Sequence, residues 1–81
     1  MNKNEIGKRI ETIFIDVMDL DSTYELKDEF SNNDIEEWDS LSSMALCAAI
    51  EKEFQIKLEF DDIIEMDTIG DIKEVVSRKL G

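Results

Sequence analysis

The sequence predicts an all-α domain of four helices, three longer and one short, with a long loop between helices one and two. Apolar residues recur at helical spacing in three segments, and no segment alternates as a half-buried strand does. The chain also lacks proline, which would interrupt a helix. Because 81 residues can build only one core, residues 1–81 are expected to form a single domain.

The first helix is predicted from Asn2 to about Asp19. Its apolar residues recur at i, i+4, i+7, i+8 and i+11, which is one stripe of an amphipathic helix. This stripe should face the core, and it consists of Ile6, Ile10, Ile13, Phe14 and Val17.

Residues 20–38 break this period and are predicted to form a long loop. Serine, asparagine and aspartate clusters indicate turns, because their short side chains bond to local backbone. Loops of this length are uncommon in compact domains and are often functional. The irregularly spaced apolar residues should pin the loop to the core, and they include Leu26, Phe30 and Trp38.

The second helix is predicted over Ser40–Phe54. Its core stripe is Leu46, Ile50 and Phe54, and Cys47 beside it is expected to be a buried structural thiol. A second apolar set is rotated off this stripe at the N-terminal end. This arrangement suggests that the first half of the helix contacts something besides its own core, through Leu41, Met44, Ala45 and Ala48.

The C-terminal third should hold a connector ending at Leu58 or Glu59, a short helix and a final longer helix. The short helix carries Ile63 and Ile64. Thr68 and Asp71 have the spacing of a capping box, which places the start of the last helix. Its apolar residues follow at helical spacing: Ile69, Ile72, Val75, Val76 and Leu80.

Charge narrows the possible partners. The chain has 21 acidic and nine basic residues, a formal net charge of -12. Nucleic acids and anionic membranes would repel such a chain, whereas basic protein surfaces would attract it. The sequence contains neither a signal peptide pattern nor a bilayer-spanning stretch, so a cytoplasmic protein is expected.

Composition also argues against an enzyme and against a metal site. Histidine is absent, which removes the usual general base and most zinc sites. The segment that begins at Asp19 resembles the start of an EF-hand calcium loop. It cannot complete one, because Tyr24 stands where the loop requires glycine and Phe30 stands where it requires glutamate. No phosphate-cradling glycine loop is present.

The remaining motif is Asp39-Ser40-Leu41, between the acidic loop and helix two. Asp39 or Ser40 could simply be the N-cap of that helix. A serine at a helix start can also be exposed to another enzyme, and a phosphodiester placed there would meet the positive end of the helix dipole. Leu41 and Met44 would then lie beside the attachment point.

The chain resembles the acyl carrier protein family along nearly its whole length, from Ile6 to Leu80. That family shows D-S-L, then L-x-x-x-[IL]-E-x-x-F, then T-[VI]-x-[DE] at the start of the last helix. Asp39-Ser40-Leu41, the run from Leu46 to Phe54 and the segment Thr68–Asp71 match these patterns in order. The resemblance implies a non-enzymatic carrier with an acyl-carrier-like four-helix bundle.

The resemblance also implies a cofactor, a site and partners. Ser40 would bear 4'-phosphopantetheine taken from coenzyme A, with Asp39 and Leu41 as motif neighbours, and Leu41, Met44 and Ala48 would face partner enzymes. Expected partners are a phosphopantetheinyl transferase, an acyl-loading ligase or transferase, and downstream synthases. The carrier is expected to be a monomer.

Two departures from the family pattern bear on its pathway. Ser42 and Ala45 stand where fatty-acid carriers usually have acids, which favours a dedicated carrier of a specialised pathway. The cargo stays open among fatty acyl, polyketide, aminoacyl and other small acids. The alternative function is an acidic helical interaction module without a prosthetic group, in which Ser40 is only part of a helix cap.

Overall fold

The computed structural model describes residues 2–81. It contains four helices and confirms the predicted all-α fold with three longer helices and one short one. The described residues form no strand, only a single bridge between Ser31 and Thr68. The helices are α1 (Lys3–Met18), α2 (Ser40–Phe54), α3 (Phe60–Glu65) and α4 (Ile69–Leu80).

Short polar side chains define where the helices begin. The Thr68 hydroxyl accepts the Asp71 N–H at 3.1 Å, and the Asp71 carboxylate accepts the Thr68 N–H at 3.2 Å, which is the predicted capping box of α4. Asn2 caps α1 through its side-chain oxygen. At the other ends of α1 and α2, Asp19 and Gln55 adopt left-handed backbone angles, with φ of 56° and 54°, that terminate the helix.

The core lies between α1, α2 and α4. Helix α1 packs against α2 and α4, whereas α3 contacts α4. The predicted stripe of α2 is confirmed, since Leu46, Ile50 and Phe54 are all buried. Helix α1 contributes Met18 in addition to the predicted stripe, of which Ile13 and Val17 are only partly buried. The other helical core residues are Ile6, Ile10, Phe14, Ile69, Ile72, Val75 and Val76.

The loop between α1 and α2 is fixed to the core as predicted. Trp38 is buried together with Ile35, and Leu26 and Phe30 pack partly buried against the core. Backbone bonds tie the loop to the start of α4, where the Gly70 N–H reaches a loop carbonyl at 2.8 Å. The loop thus holds the residues before α2 in a defined position.

A charged cluster links the loop to two helices. The Lys73 ammonium on α4 lies 2.7 Å from Glu11 of α1 and 2.7 Å from Asp28 of the loop. Burial alone would lower the pKa of Lys73, but the hydrogen bonds to Asp28 and Glu11 outweigh it and raise that pKa. Lys73 therefore stays charged and crosslinks three segments.

Candidate functional site at the start of helix α2

The motif allowed either Asp39 or Ser40 to cap α2, and in the structure the N-cap is Asp39. Its carboxylate accepts the Ser42 N–H at 2.9 Å, and the Ser42 hydroxyl accepts the Asp39 N–H at 2.8 Å. This reciprocal capping box makes Ser40 the first residue of the helix. The side chain of Ser40 is thereby placed at the positive end of the α2 dipole.

Three serines occur within four residues here, and they differ in their hydrogen bonds. Ser42 is engaged by the capping box. Ser43 accepts the indole N–H of Trp38 at 2.8 Å. The Ser40 side chain is exposed, and no hydrogen bond within residues 2–81 engages its hydroxyl. Among these three, Ser40 alone is exposed and has a hydroxyl that no hydrogen bond of the described residues engages.

The carboxylate of Asp39 remains ionised well into the acidic range. Hydrogen bonds from the backbone and side chain of Ser42 lower the pKa of Asp39 below its ordinary value. A carboxylate with a lowered pKa is a weak base. Asp39 is accordingly suited to positioning Ser40 rather than to taking its proton.

Trp38 anchors the site to the core. Its ring is 5% exposed and meets Phe14 of α1 edge-to-face, with ring centroids 5.0 Å apart at an interplanar angle of 82°. The indole N–H is satisfied by Ser43 on the first turn of α2. One side chain thus connects α1, the end of the loop and the helix that bears Ser40.

A groove of about 540 Å³ runs from Ser40 between α2 and the α3 region. A smaller cavity of about 80 Å³ reaches toward the core and shares several of these walls. The side chains common to the groove and the cavity are Trp38, Ser43, Cys47, Ile63 and Met66. The surface beside Ser40 is therefore concave and largely apolar.

Cys47 is expected to be a buried structural thiol, but the structure leaves it only half-buried. Cys47 packs partly buried against the core and forms part of the groove wall. Burial raises the pKa of the Cys47 thiol, and the nearby charge of Glu51 raises it further. A protonated thiol is a poor nucleophile, so the residue acts here as a small apolar wall.

The residues expected to face partners are exposed. Leu41 and Met44 are 80% and 72% exposed, and Ala48 is exposed one turn beyond Met44. Met44 and Ala48 also line the groove together with Asp39 and Ser40. Phe60 of α3, which periodicity did not single out, is 75% exposed. A large aromatic side chain in a short acidic segment was the sequence signal that could have identified it.

Metal and membrane features are absent from the described part of the chain. Within residues 2–81, no cluster of three or more His, Cys, Asp or Glu side chains is arranged to hold a metal ion. In the same range, no helix combines the length and the apolar character needed to cross a bilayer.

Comparison with known proteins identifies the family. The pattern of the phosphopantetheine attachment site family matches residues 8–76. The chain belongs to this family. The solution structure of the holo acyl carrier protein from Geobacter metallireducens is 36% identical in sequence and superposes with a TM-score of 0.83, covering 91% of this chain and 84% of that one.

Family membership establishes the general role and the prosthetic group. Members are carriers rather than enzymes, and this chain is a carrier that uses phosphopantetheine. Carriers of this kind interact with transferases and synthases. The all-α fold with four helices is the acyl carrier protein fold.

Proposed function

We propose that Ser40 carries the phosphopantetheine arm and that the chain delivers acyl groups as thioesters on this arm between enzymes of a biosynthetic pathway. The observation that carries the proposal is the contrast among neighbouring serines. Ser42 and Ser43 are held by hydrogen bonds, whereas Ser40 is exposed at a helix start with an available hydroxyl.

The surroundings of Ser40 fit such an arm. A phosphodiester on Oγ would lie at the N-terminal end of the α2 dipole, where negative charge is stabilised. The groove that begins at Ser40 offers an apolar path beside the attachment point. When attached, the arm supplies a terminal thiol that holds the acyl group as a thioester.

Attachment requires a base that this chain does not supply. Ser40 Oγ would attack the β-phosphorus of coenzyme A. A new O–P bond forms, the bond to the bridging oxygen of 3',5'-ADP breaks, and the hydroxyl proton must be accepted. Histidine is absent, and Asp39 has a lowered pKa and is occupied as a cap. The phosphopantetheinyl transferase therefore provides the base.

The tether explains how a protein without catalytic groups promotes a pathway. An acyl group tied to a carrier meets each enzyme at the effective concentration set by the arm and by docking rather than at its bulk concentration. The rigid cap of Asp39 and the anchored Trp38 keep the base of the arm in one place.

A dedicated pathway is part of the proposal. Ala45 is exposed on the first half of α2, and Ser42 is used internally in the capping box. Neither residue offers the acid that fatty-acid carriers usually present there. Partner contact would then depend on the apolar side chains of Leu41, Met44 and Ala48. The proposal includes a monomeric carrier domain spanning residues 1–81 that works in the cytoplasm.

The attachment site is tested with Ser40→Ala. The purified protein is incubated with a broad-specificity phosphopantetheinyl transferase and coenzyme A, and intact mass is measured. Wild type and the control Ser22→Ala, an exposed loop serine, should gain the mass of one arm, and Ser40→Ala should gain none. An arm on Ser40→Ala would refute the assignment. A wild type that gains no mass would favour the interaction module without a prosthetic group.

The partner face is tested with Met44→Glu. Its charge-matched control is Thr12→Glu, which adds a negative charge on an exposed position of α1. Loading by the acyl-loading ligase of the pathway should fall strongly for Met44→Glu alone, and raised salt should slow wild type only slightly, because apolar anchors carry more binding energy than rim charges. Tolerance of Met44→Glu together with a collapse in salt would show that acidic residues select the partner.

A further inference from the structure

The groove beside Ser40 narrows into a small apolar cavity. This cavity has a volume of about 80 Å³ and shares walls with the groove, among them Trp38 and Cys47. On its inner side it is closed by Leu46 and Ile72, which are 2% and 0% exposed. The cavity therefore ends at the packed core, and its small volume is the space available beyond the open groove.

Trp38 limits the cavity on the side of α1. Its indole N–H donates to Ser43 at 2.8 Å, and its ring packs edge-to-face on Phe14 of α1. Both contacts would be lost if the ring moved aside to lengthen the cavity. The cavity is therefore held at its size by a fixed aromatic side chain that also lines the groove.

The volume of the cavity sets the length of chain that it can enclose. A space of about 80 Å³ holds about two to three groups the size of a water molecule, at about 30 Å³ each. Transfer of that many apolar carbons from water is favourable, whereas a longer chain would have to displace packed side chains or remain in the open groove. The cavity therefore suits an acyl group of about two to four carbons.

The groove carries negative charge without an opposing positive charge. Of the described residues that line it, Asp39, Glu51 and Asp67 are acids and none is lysine or arginine. Glu51 is fixed there, because its carboxylate accepts the N–H of Leu58 at 2.8 Å. Burial raises the pKa of the Cys47 thiol most, and the charge of Glu51 raises it further, so this charge is felt at the cavity wall. A carboxylate on the cargo would meet these acids without a counter-ion.

We propose that the cargo of this carrier is a short acyl group of about two to four carbons without a negative charge, and that Trp38 and Cys47 set this limit as walls of the cavity. This inference rests on the proposed attachment at Ser40 and names the cargo of that same site. Cys47 is seven residues from Ser40, which is about 10 Å along α2, and an arm folded along the groove spans that distance.

The test compares three cargoes on the wild-type protein. Propanoyl, octanoyl and malonyl arms are attached with a broad-specificity phosphopantetheinyl transferase and the matching acyl-coenzyme A, and intact mass confirms each product. The rate of thioester cleavage by hydroxylamine is divided by the rate for the same acyl group on free pantetheine, which cancels intrinsic reactivity. Propanoyl should be protected about threefold, as for a group enclosed two thirds of the time, and octanoyl and malonyl less than about 1.5-fold.

Melting temperature gives a second readout that does not depend on thioester chemistry. A cargo that binds only the folded protein stabilises it. The propanoyl form should therefore melt above the form with a free thiol, and the octanoyl and malonyl forms should not. Melting temperatures that rise steadily from propanoyl to octanoyl would overturn the proposed length limit.

The cavity is tested with a matched pair of substitutions on α2. Cys47→Leu fills the cavity, whereas Ala45→Leu adds the same side chain at an exposed position that does not line it. Protection of propanoyl should be lost in Cys47→Leu and kept in Ala45→Leu. Equal protection in the two variants would refute the cavity as the cargo site. If Cys47→Leu does not fold, the three cargoes on wild type still decide the proposal.

The charge preference has its own matched pair. Glu51→Gln removes the charge and keeps an acceptor for the Leu58 N–H, whereas Glu53→Gln removes a charge from an exposed position that pairs with Arg9. Protection of malonyl should rise about twofold in Glu51→Gln and stay unchanged in Glu53→Gln. Equal effects of the two substitutions would overturn the charge preference.

Failure of this inference can be told apart from failure of the proposed function. If wild type gains no arm from coenzyme A, the carrier role of Ser40 fails. If the arm is attached to Ser40 and all three acyl groups are cleaved as fast as on free pantetheine, the cargo limit is refuted while the attachment site stands. Stronger protection of octanoyl than of propanoyl would refute the limit as well.

Discussion

Replacing Trp38 tests whether the residue before the attachment motif holds the whole site to the core. Trp38 belongs to a loop, where substitutions are usually tolerated. Here its ring is nearly inaccessible, packs edge-to-face on Phe14 and donates its N–H to Ser43. We expect Trp38→Ala to be as damaging as a substitution in the centre of a helix.

The magnitude follows from what the side chain contacts. Truncating a buried tryptophan to alanine removes about 3–5 kcal/mol from the free energy of unfolding. Within that figure the aromatic pair with Phe14 contributes about 0.5–1.5 kcal/mol and the hydrogen bond to Ser43 about 1 kcal/mol. A domain of this size has a total stability of about 4–12 kcal/mol. Trp38→Phe, which keeps an aromatic ring but loses the donor, should cost about 1–2 kcal/mol.

The assay is urea unfolding followed by helical circular dichroism, since the variants lack the only tryptophan. Glu36→Ala, an exposed substitution in the same loop, serves as the control and should change stability by no more than about 0.5 kcal/mol. A loss below about 1 kcal/mol for Trp38→Ala would refute the reasoning, because it would mean that Trp38 does not fasten the loop to α1 and α2.

Three further predictions concern stability. Phe54→Ala should cost about 3–5 kcal/mol in chemical denaturation, and a loss under about 1 kcal/mol would mean that α2 faces another way. The hydrogen bond from Lys79 lowers the pKa of Asp62, and the Glu59 N–H and Arg78 add lesser effects in the same direction. The ionised Asp62 therefore stabilises the folded state above the unfolded pKa of about 3.9, and this stabilisation is lost as pH falls through the lower folded pKa. Asp62→Asn should therefore flatten the pH dependence of unfolding below about pH 4, and parallel curves for the two proteins would contradict this. Finally, with a net charge of -12, moderate salt or magnesium should raise the melting temperature by screening repulsion, and indifference to both would count against that view.

Much of the architecture was accessible from local sequence patterns. The apolar stripe of α1, the stripe from Leu46 to Phe54 and the capping box at Thr68 each depend on residues three or four positions apart. Such patterns specify a helix and its buried side without knowledge of the rest of the chain. The motif at Ser40 was equally local, because a capping residue and the helix start it creates are neighbours in sequence.

Tertiary contacts decided the features that local patterns left open. Cys47 looked buried from its position in an apolar run, yet it is only half-buried and lines the groove between α2 and the α3 region. Nothing in the order of residues showed that Ser43 would bind the Trp38 indole and leave Ser40 available, since that choice depends on how the loop meets α1.

The orientation of α3 shows most plainly which features the sequence determined and which the tertiary structure decided. The sequence by itself determined that a short acidic helix with apolar side chains lies before the last helix. A segment of six residues is too short for its pattern to say which side is buried, and its orientation depends on partners far along the chain. Asp62 is buried and pairs with Lys79 and Arg78 of α4, whereas Phe60 of the same short helix is exposed to solvent. Contacts between α3 and α4 therefore accompany an orientation of α3 that the local sequence pattern left open.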